Sequence, residues 1–384
     1  MALERLIEPT ALGAPVESGR VQGLALDVDR TDVVSWPNGT VPRSATSADL
    51  LSPPARISGV DRKRFLTLTT APLVLGPALG GGLPEALARR LGGTPLALVT
   101  ADLESSIVAV DLSSGLVARR IRTPADPRSI ETVYRGSALV AHTALGRLTL
   151  VDSRLQVHAI EGELGAPRYA AASPRSRYAY VSDSARAEIA VVDLRSRRVV
   201  GRTPVGGPVR HLSIDRAGRS LWAVLGNVAP TVAILDTSQA VHPRLRGRIR
   251  PPFNAHDVGF TPGGRRVWLT SGDEQRLAIY DARSARLLKT LRGDAPPQHV
   301  TFLGNHAYVS SGDDGLLRVH RLDGRLLRTT RIPVGSYNVQ QGWGRILTPS
   351  LSLGTFCLLD ERGGLQLRRD VARSSHDACF VVGT

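Results

Sequence analysis

The fold is decided by residues 178–206, which read YAYVSDSARAEIAVVDLRSRRVVGRTPVG. Three short β-rich runs stand in this stretch with turn residues between them, and a fourth run follows at 210–214. Short runs rich in Val, Ile and Tyr that alternate with turn residues are typical of antiparallel strands joined by hairpins. The stretch therefore predicts one four-stranded antiparallel sheet.

The same pattern recurs along the chain at a nearly constant spacing. The residues that end the second run of each repeat are Asp111, Asp152, Asp193, Asp236, Asp281, His320 and Asp360. Successive members of this series are 41, 41, 43, 45, 39 and 40 residues apart. Seven units of this length, each with four strands, predict an all-β, seven-bladed β-propeller. An aspartate at a strand end accepts backbone N–H groups of the next turn, so we assign this series a structural role.

The phase of the repeat predicts how the ring closes. Residues 95–125 supply three strands with no inner strand before them, and residues 378–382 read as an inner strand with no successors. We therefore expect a one-plus-three closure, in which the C-terminal strand completes the first blade. Such a closure covers sheet edges that would otherwise promote aggregation.

The segment ahead of the propeller differs in composition. Residues 1–59 have no periodicity and scattered Pro, Gly, Ser and Thr, which predicts disorder or translated upstream sequence from a misplaced start codon. In residues 60–91, basic residues at 62–64 precede an apolar run and an Ala-Leu-Ala site at 86–88. This order is typical of an export signal, and it resembles the twin-arginine motif with Lys63 in place of one arginine. We expect residues 92–384 to form the propeller and to be periplasmic or extracellular, with membrane contact only through an uncleaved signal.

Composition excludes several classes of protein. Of 384 residues, 42% are hydrophobic and 22% are charged, which is too apolar for a disordered chain. Two cysteines cannot build a disulfide scaffold or a four-cysteine zinc module. The formal net charge is +15, and the only lysines are Lys63 and Lys289, so nearly every cation is arginine. An arginine-rich surface attracts anions and binds them bidentately, but it does not by itself name the anion.

The repeat also resembles a known family. The runs at 179–183, 191–193 and 203–206 resemble the YVTN-type β-propeller repeats of bacterial surface and periplasmic proteins, and the resemblance covers residues 95–384. It implies a fold that serves non-catalytic binding proteins, sugar lactonases, lyases and haem-carrying redox domains. A fold of this kind does not settle an activity.

Aligned on their first apolar residue, the inner strands place two polar rings at one mouth of the central channel. The first ring is Arg128, Arg168, Arg210, His256, Gln298, Tyr337 and His376, and the second is Ser129, Tyr169, His211, Asp257, His299, Asn338 and Asp377. Four of the nine histidines fall in these fourteen positions. We take as candidate ligand-binding residues Arg128, Arg168, Arg210, His211, His256, Asp257, His299, Tyr337, His376 and Asp377.

Three interpretations of the rings stay open. They are a wet channel mouth that simply admits polar residues, a site where three arginines share a carboxylate or phosphate, and a metal or haem site. His256 and His376 precede aspartates, but they lie three blades apart, so one ion is not expected to bind both. No Cys-x-x-Cys-His motif is present, which excludes covalent haem. We assign no metal ligands and predict no cofactor, and a divalent metal ion stays open.

For function, the sequence favours an exported, non-catalytic propeller that binds an anionic small molecule or a protein partner at one face. No G-x-S-x-G motif, Walker loop or zinc-protease helix is present, so standard hydrolase chemistry lacks a nucleophile. The first alternative is a lactonase- or lyase-type enzyme that uses a metal or a histidine acid/base at the channel mouth. The second is nucleic-acid binding through the arginine surface, and export argues against it.

Overall fold

The computed structural model describes residues 93–174 and 177–384, and within them the chain is a seven-bladed β-propeller. The proposed upstream segment and export signal, 1–59 and 60–91, lie outside the described residues. The first half of the strands is β1 (Thr94–Ala101), β2 (Ser106–Asp111), β3 (Leu116–Arg122), β4 (Pro127–Thr132), β5 (Ala138–His142), β6 (Arg147–Val151), β7 (Val157–Ala159), β8 (Pro167–Ala172), β9 (Tyr178–Asp183), β10 (Glu188–Asp193), β11 (Arg198–Pro204), β12 (Leu212–Ile214), β13 (Ser220–Val224) and β14 (Val232–Asp236).

The second half is β15 (Arg244–Ile249), β16 (Val258–Phe260), β17 (Arg266–Thr270), β18 (Arg276–Asp281), β19 (Leu287–Arg292), β20 (Val300–Leu303), β21 (His306–Ser311), β22 (Leu316–Arg321), β23 (Leu326–Arg331), β24 (Gln340–Gly342), β25 (Arg345–Pro349), β26 (Thr355–Asp360), β27 (Leu365–Asp370) and β28 (Ala378–Gly383). Short 3-10 helices cover Asp102–Glu104, Tyr134–Gly136 and Thr143–Leu145. Within the described ranges, no helix is long and apolar enough to cross a membrane.

Each blade is one four-stranded antiparallel sheet. Blade 1 has the strand order β28-β1-β2-β3, and blades 2 to 7 take four consecutive strands each, from β4–β7 to β24–β27. The innermost strand of each blade, β28, β4, β8, β12, β16, β20 or β24, lines the central channel.

Burial explains the sequence pattern within a blade. The two middle strands lie between neighbouring blades, so both of their faces are covered and they read as nearly continuous apolar runs, as in β9 and β10. The outermost strands have only one covered face, so exposed and partly covered positions alternate in β11.

Large aromatic side chains join the blades. Trp222 of blade 4 is fully buried, and its ring meets those of Phe260 and Tyr280 of blade 5 at centroid distances of 6.2 and 6.0 Å. Trp268 of blade 5 is fully buried and meets Phe302 of blade 6 at 5.8 Å. The core of the propeller is therefore a set of contacts between neighbouring blades.

The aspartates that mark the repeat stabilise turns, as their position predicts. Asp111 Oδ1 accepts the Ser113 N–H at 2.7 Å, and Asp360 Oδ1 accepts the N–H of Gly364 at 2.7 Å. Asp236 does the same for Ser238 at 2.9 Å. The structural interpretation of these carboxylates is confirmed.

Candidate functional site

Backbone hydrogen bonds hold the two polar rings at equivalent positions in successive blades. The N–H groups of Arg210, His256 and Gln298 donate to carbonyls of the second strand of their own blades at 2.8–2.9 Å. In return, the carbonyls of His211 and Asp257 accept from that same strand at 2.8 and 3.1 Å. The alignment made from sequence therefore corresponds to one level of the channel.

Side chains of the second ring also connect one inner strand to the next. Asp257 Oδ2 accepts the Val300 N–H at 2.9 Å, and Asp377 Oδ2 accepts the Ile130 N–H at 3.1 Å. The Asn338 amide donates to the His376 carbonyl at 3.2 Å. Part of the polarity of this ring thus serves the closure of the channel.

Three of the predicted residues converge on one point. One ring nitrogen from each of His211, His256 and His299 lies within 4.8 Å of the other two. The ring centroid of His211 lies 4.5 Å from that of His256 and 4.6 Å from that of His299. These side chains come from three consecutive blades, 4, 5 and 6, and we call them the histidine cluster.

The hydrogen bonds of the cluster leave nitrogen lone pairs available. His256 Nδ1 donates to the Asn227 carbonyl at 2.7 Å, which leaves its Nε2 as an acceptor. His299 Nδ1 lies 3.5 Å from Asp257 Oδ2. His211 is 2% exposed, and neither of its ring nitrogens has a hydrogen-bond partner in the part of the chain that the structure describes.

Burial and neighbouring charges keep the imidazoles of His211 and His256 neutral. Burial lowers the pKa of His211 well below its ordinary value, and the nearby His256 and His299 add to the shift. Burial also lowers the pKa of His256 to about 3, with His299 as the next cause. A neutral imidazole offers a lone pair, which is the form that binds metal ions.

The remaining histidine of the rings stays apart from the cluster. The His376 ring is 6.3 Å from that of Tyr169, which in turn packs on His211 at 4.2 Å. Burial lowers the pKa of His376 well below its ordinary value, and Arg128 and Arg210 lower it further. His376 therefore borders the cluster without joining it.

The other predicted residues have partners of their own. Arg128 pairs with Asp102 at 3.6 Å, and the Arg168 Nε donates to Ser184 Oγ at 3.2 Å. The Tyr337 hydroxyl donates to Asp313 Oδ1 at 2.7 Å. The structure thus divides the predicted set into a histidine cluster, an arginine group and residues that fix turns or neighbouring strands.

A cavity of about 480 Å³ extends along the channel from the second ring toward the other mouth. His211, His299 and Asp257 are among its lining residues, and Arg216 lines it at the far end. Its volume falls within the range of small-molecule sites, about 300–1,000 Å³. The histidine cluster therefore has access to a space that can hold a small ligand.

Glu131 is a lining residue that the sequence interpretation missed. Burial raises its pKa to about 8, with the nearby Asp377 as the second cause. Burial likewise raises the pKa of Asp377 to about 7. The signal was present, because residues two apart on a strand face the same side and Glu131 follows Ser129 of the second ring.

Among the comparisons with known proteins, the solved structures support the fold, and none of the comparisons shows the function. No family model matches the chain. A segment of 124 residues, 32% of this chain, is 29% identical to bovine protein NEDD1, and mouse NEDD1 matches at 28%. The matched segment spans only 18% of the length of these curated relatives.

Solved structures are similar over most of the propeller. A functionally unknown protein from Desulfotomaculum acetoxidans superposes with a TM-score of 0.65 at 10% identity, over 75% of this chain and 99% of that one. Apo AztD from Citrobacter koseri gives 0.59 at 11% identity, over 76% and 99%. At such identities the likeness shows the β-propeller fold alone, and membership of the YVTN repeat family stays a prediction.

Proposed function

We propose that this propeller is a binding protein for a divalent transition-metal ion, which the histidine cluster holds at one level of the channel. The observation that carries the proposal is the convergence of three histidine nitrogens within 4.8 Å. One of the three, His211, is buried, and neither of its ring nitrogens has a partner among the described residues. Buried polar groups normally have partners, and an ion at this point would supply one for His211.

The donor set favours particular ions. Three imidazoles suit zinc, copper, nickel and iron, whereas calcium and magnesium prefer oxygen ligands. A site with three protein ligands leaves a further coordination position for water or another ligand. In a tetrahedral site with bonds of about 2.0–2.1 Å, ligand nitrogens stand about 3.3 Å apart, so the rings must turn inward on binding.

Contacts around the cluster support this interpretation. Histidine ligands usually donate their other N–H to a carbonyl or carboxylate, which fixes the ring. His256 has such a contact with the Asn227 carbonyl, and His299 lies beside the Asp257 carboxylate. Two of the three rings are therefore oriented before any ion arrives.

The test is a zinc titration of the full chain after chelator dialysis, followed by calorimetry. We expect one equivalent of zinc per chain and an affinity at least a hundredfold weaker in His211→Ala. The matched control is His242→Ala, because His242 is exposed and outside the cluster. The absence of stoichiometric zinc, copper or nickel binding, or equal binding by His211→Ala and His242→Ala, would reject the proposal.

Export and family membership belong to the same proposal. The basic and apolar stretch at 60–91 supports an exported metal-binding protein, and the repeat motif supports a YVTN-type propeller. Sequencing the N-terminus of the mature protein from its native cells tests export. A mature protein that begins near residue 1 would reject it.

A further inference from the structure

A second group of ring residues stands beside the histidine cluster. Arg128 and Arg168 are the second residues of the inner strands β4 and β8, in blades 2 and 3, and Arg210 lies two residues before the inner strand β12 of blade 4. All three side chains are half-buried. We call them the arginine triad. Arginine is normally well exposed, so three partly buried guanidinium groups on consecutive blades need a physical explanation.

The triad shares one electrostatic environment. Burial lowers the pKa of the Arg168 guanidinium, and the positive charges of Arg210 and Arg128 lower it further. Burial raises the pKa of Tyr169, and the positive charges of Arg210 and Arg128 oppose that shift. The charges of Arg210 and Arg128 are therefore near enough to Arg168 to disfavour its charged form, which agrees with the equivalent places of the three residues in consecutive blades.

The protein compensates this charge only in part. Asp102, 3.6 Å from Arg128, is the one carboxylate within 4.0 Å of the triad in the described ranges of the chain. The Arg168 Nε donates to the neutral hydroxyl of Ser184. The Arg210 Nε is buried, and among the described residues it has no hydrogen-bond partner. The arginine triad therefore has a hydrogen-bond donor without an acceptor, and positive charge without a matching negative charge, where water is partly excluded.

We propose that the arginine triad is a binding site for a small oxyanion, the carboxylate or phosphate group of a ligand at the mouth of the channel. The guanidinium fork matches both groups in geometry, and charge-assisted bonds are strongest where water is excluded. A bound oxyanion would supply the missing negative charge and an acceptor for the triad. The site uses other residues than the histidine cluster, so it does not depend on the metal-binding proposal.

The experiment is calorimetric titration of the full-length, metal-free chain with inorganic phosphate and, separately, with succinate, at constant ionic strength. We expect saturable binding of one equivalent of at least one of the two probes, and the stronger one identifies phosphate or carboxylate as the preferred group. Arg168→Gln and Arg210→Gln should each weaken that binding at least tenfold. The matched control is Arg119→Gln, because Arg119 is exposed on the outer strand of blade 1.

Three outcomes would overturn the site. The first is that neither phosphate nor succinate binds saturably to the unaltered chain. The second is that Arg119→Gln weakens anion binding as much as Arg168→Gln does. If the glutamine variants fail to fold, Arg168→Lys takes their place, because it keeps the charge but loses the guanidinium fork. The third outcome is that folded Arg168→Lys binds the anion as tightly as the unaltered chain. Zinc binding is measured on the same samples, so a chain that binds zinc but no anion, or the reverse, separates this proposal from the metal site.

Discussion

Replacing Asp257 by asparagine separates its proposed contribution to metal binding from its structural role. Asp257 Oδ2 lies 3.5 Å from His299 Nδ1 and accepts the Val300 N–H. An asparagine oxygen can still accept that N–H, but it lacks the negative charge that attracts the His299 imidazole and orients its ring. Loss of such a contact behind a metal ligand typically weakens metal binding roughly 10–100-fold, which is about 1.4–2.7 kcal/mol.

Asp377→Asn is the matched control for this variant. Asp377 occupies the same ring position in blade 1 and accepts the Ile130 N–H in the same way, but its carboxylate contacts no member of the histidine cluster in the described part of the chain. We therefore expect zinc affinity close to that of the unaltered chain in Asp377→Asn. Urea unfolding of Asp257→Asn without metal should show a change of no more than about 1 kcal/mol, since the Val300 N–H keeps an acceptor. Asp377 also accepts the Ala378 N–H, and burial raises its pKa, so the zinc affinity of Asp377→Asn is interpreted only once urea unfolding has shown that this variant is folded.

The assay is competition for zinc between each variant and a chromophoric chelator of known affinity. The reasoning is refuted if Asp257→Asn binds zinc as tightly as the unaltered chain while His211→Ala has lost it. It is equally refuted if both asparagine variants weaken binding alike, because the effect would then come from the ring position and not from the contact with His299.

Other predictions concern stability and reactivity. Trp222→Ala should lower the free energy of unfolding in urea by about 3–5 kcal/mol, because it empties a packed contact between two blades, and a loss below about 1 kcal/mol would contradict that packing. Glu131 binds its proton more tightly in the folded chain, with a pKa of about 8 against 4.5, so it stabilises the fold at low pH and this contribution is lost as pH rises to 8. Relative to the unaltered chain, Glu131→Gln should therefore gain stability between pH 5 and pH 8, by about 1–3 kcal/mol, and equal urea-unfolding differences at both pH values would exclude the effect. Cys357 and Cys379 are both buried, and burial raises the pKa of the Cys357 thiol to about 11. Neither should react with a thiol reagent until the chain unfolds, and rapid labelling of the native protein would refute this.

The architecture was readable from the sequence because its determinants are local. Six of the seven repeats carry a turn aspartate at the end of the second run, as at Asp193 and Asp360, so the period of about forty residues is visible without any long-range contact. Alignment of the inner strands within the same repeat also predicted which residues lie at the same level of the channel. A seven-bladed propeller repeats the same local pattern seven times, so a pattern that is weak in one blade becomes clear over the whole chain.

The convergence of particular side chains was not readable in this way. His256 belongs to the first ring, and it meets His211 and His299 of the second ring only because its side chain reaches across one residue of strand height. Such a contact depends on rotamers and on the width of the channel, which a linear pattern does not contain. From the sequence, no single ion is expected to bind both His256 and His376, and no metal ligands are assigned, whereas the structure places His211, His256 and His299 together.

The pairing of β28 with β1 has a consequence for the time course of folding. Residues 94–99 form their ladder with residues 378–383, so blade 1 lacks its inner strand until the other described strands have been synthesised. Contacts between such distant segments slow folding, because closing the long loop between them costs entropy before the contacts can stabilise the fold. Blades 2 to 7 can therefore form from consecutive strands before blade 1 is complete. The channel becomes a closed ring only when β28 pairs with β1. Ligands that need the whole ring would then be bound only after β28 has paired with β1.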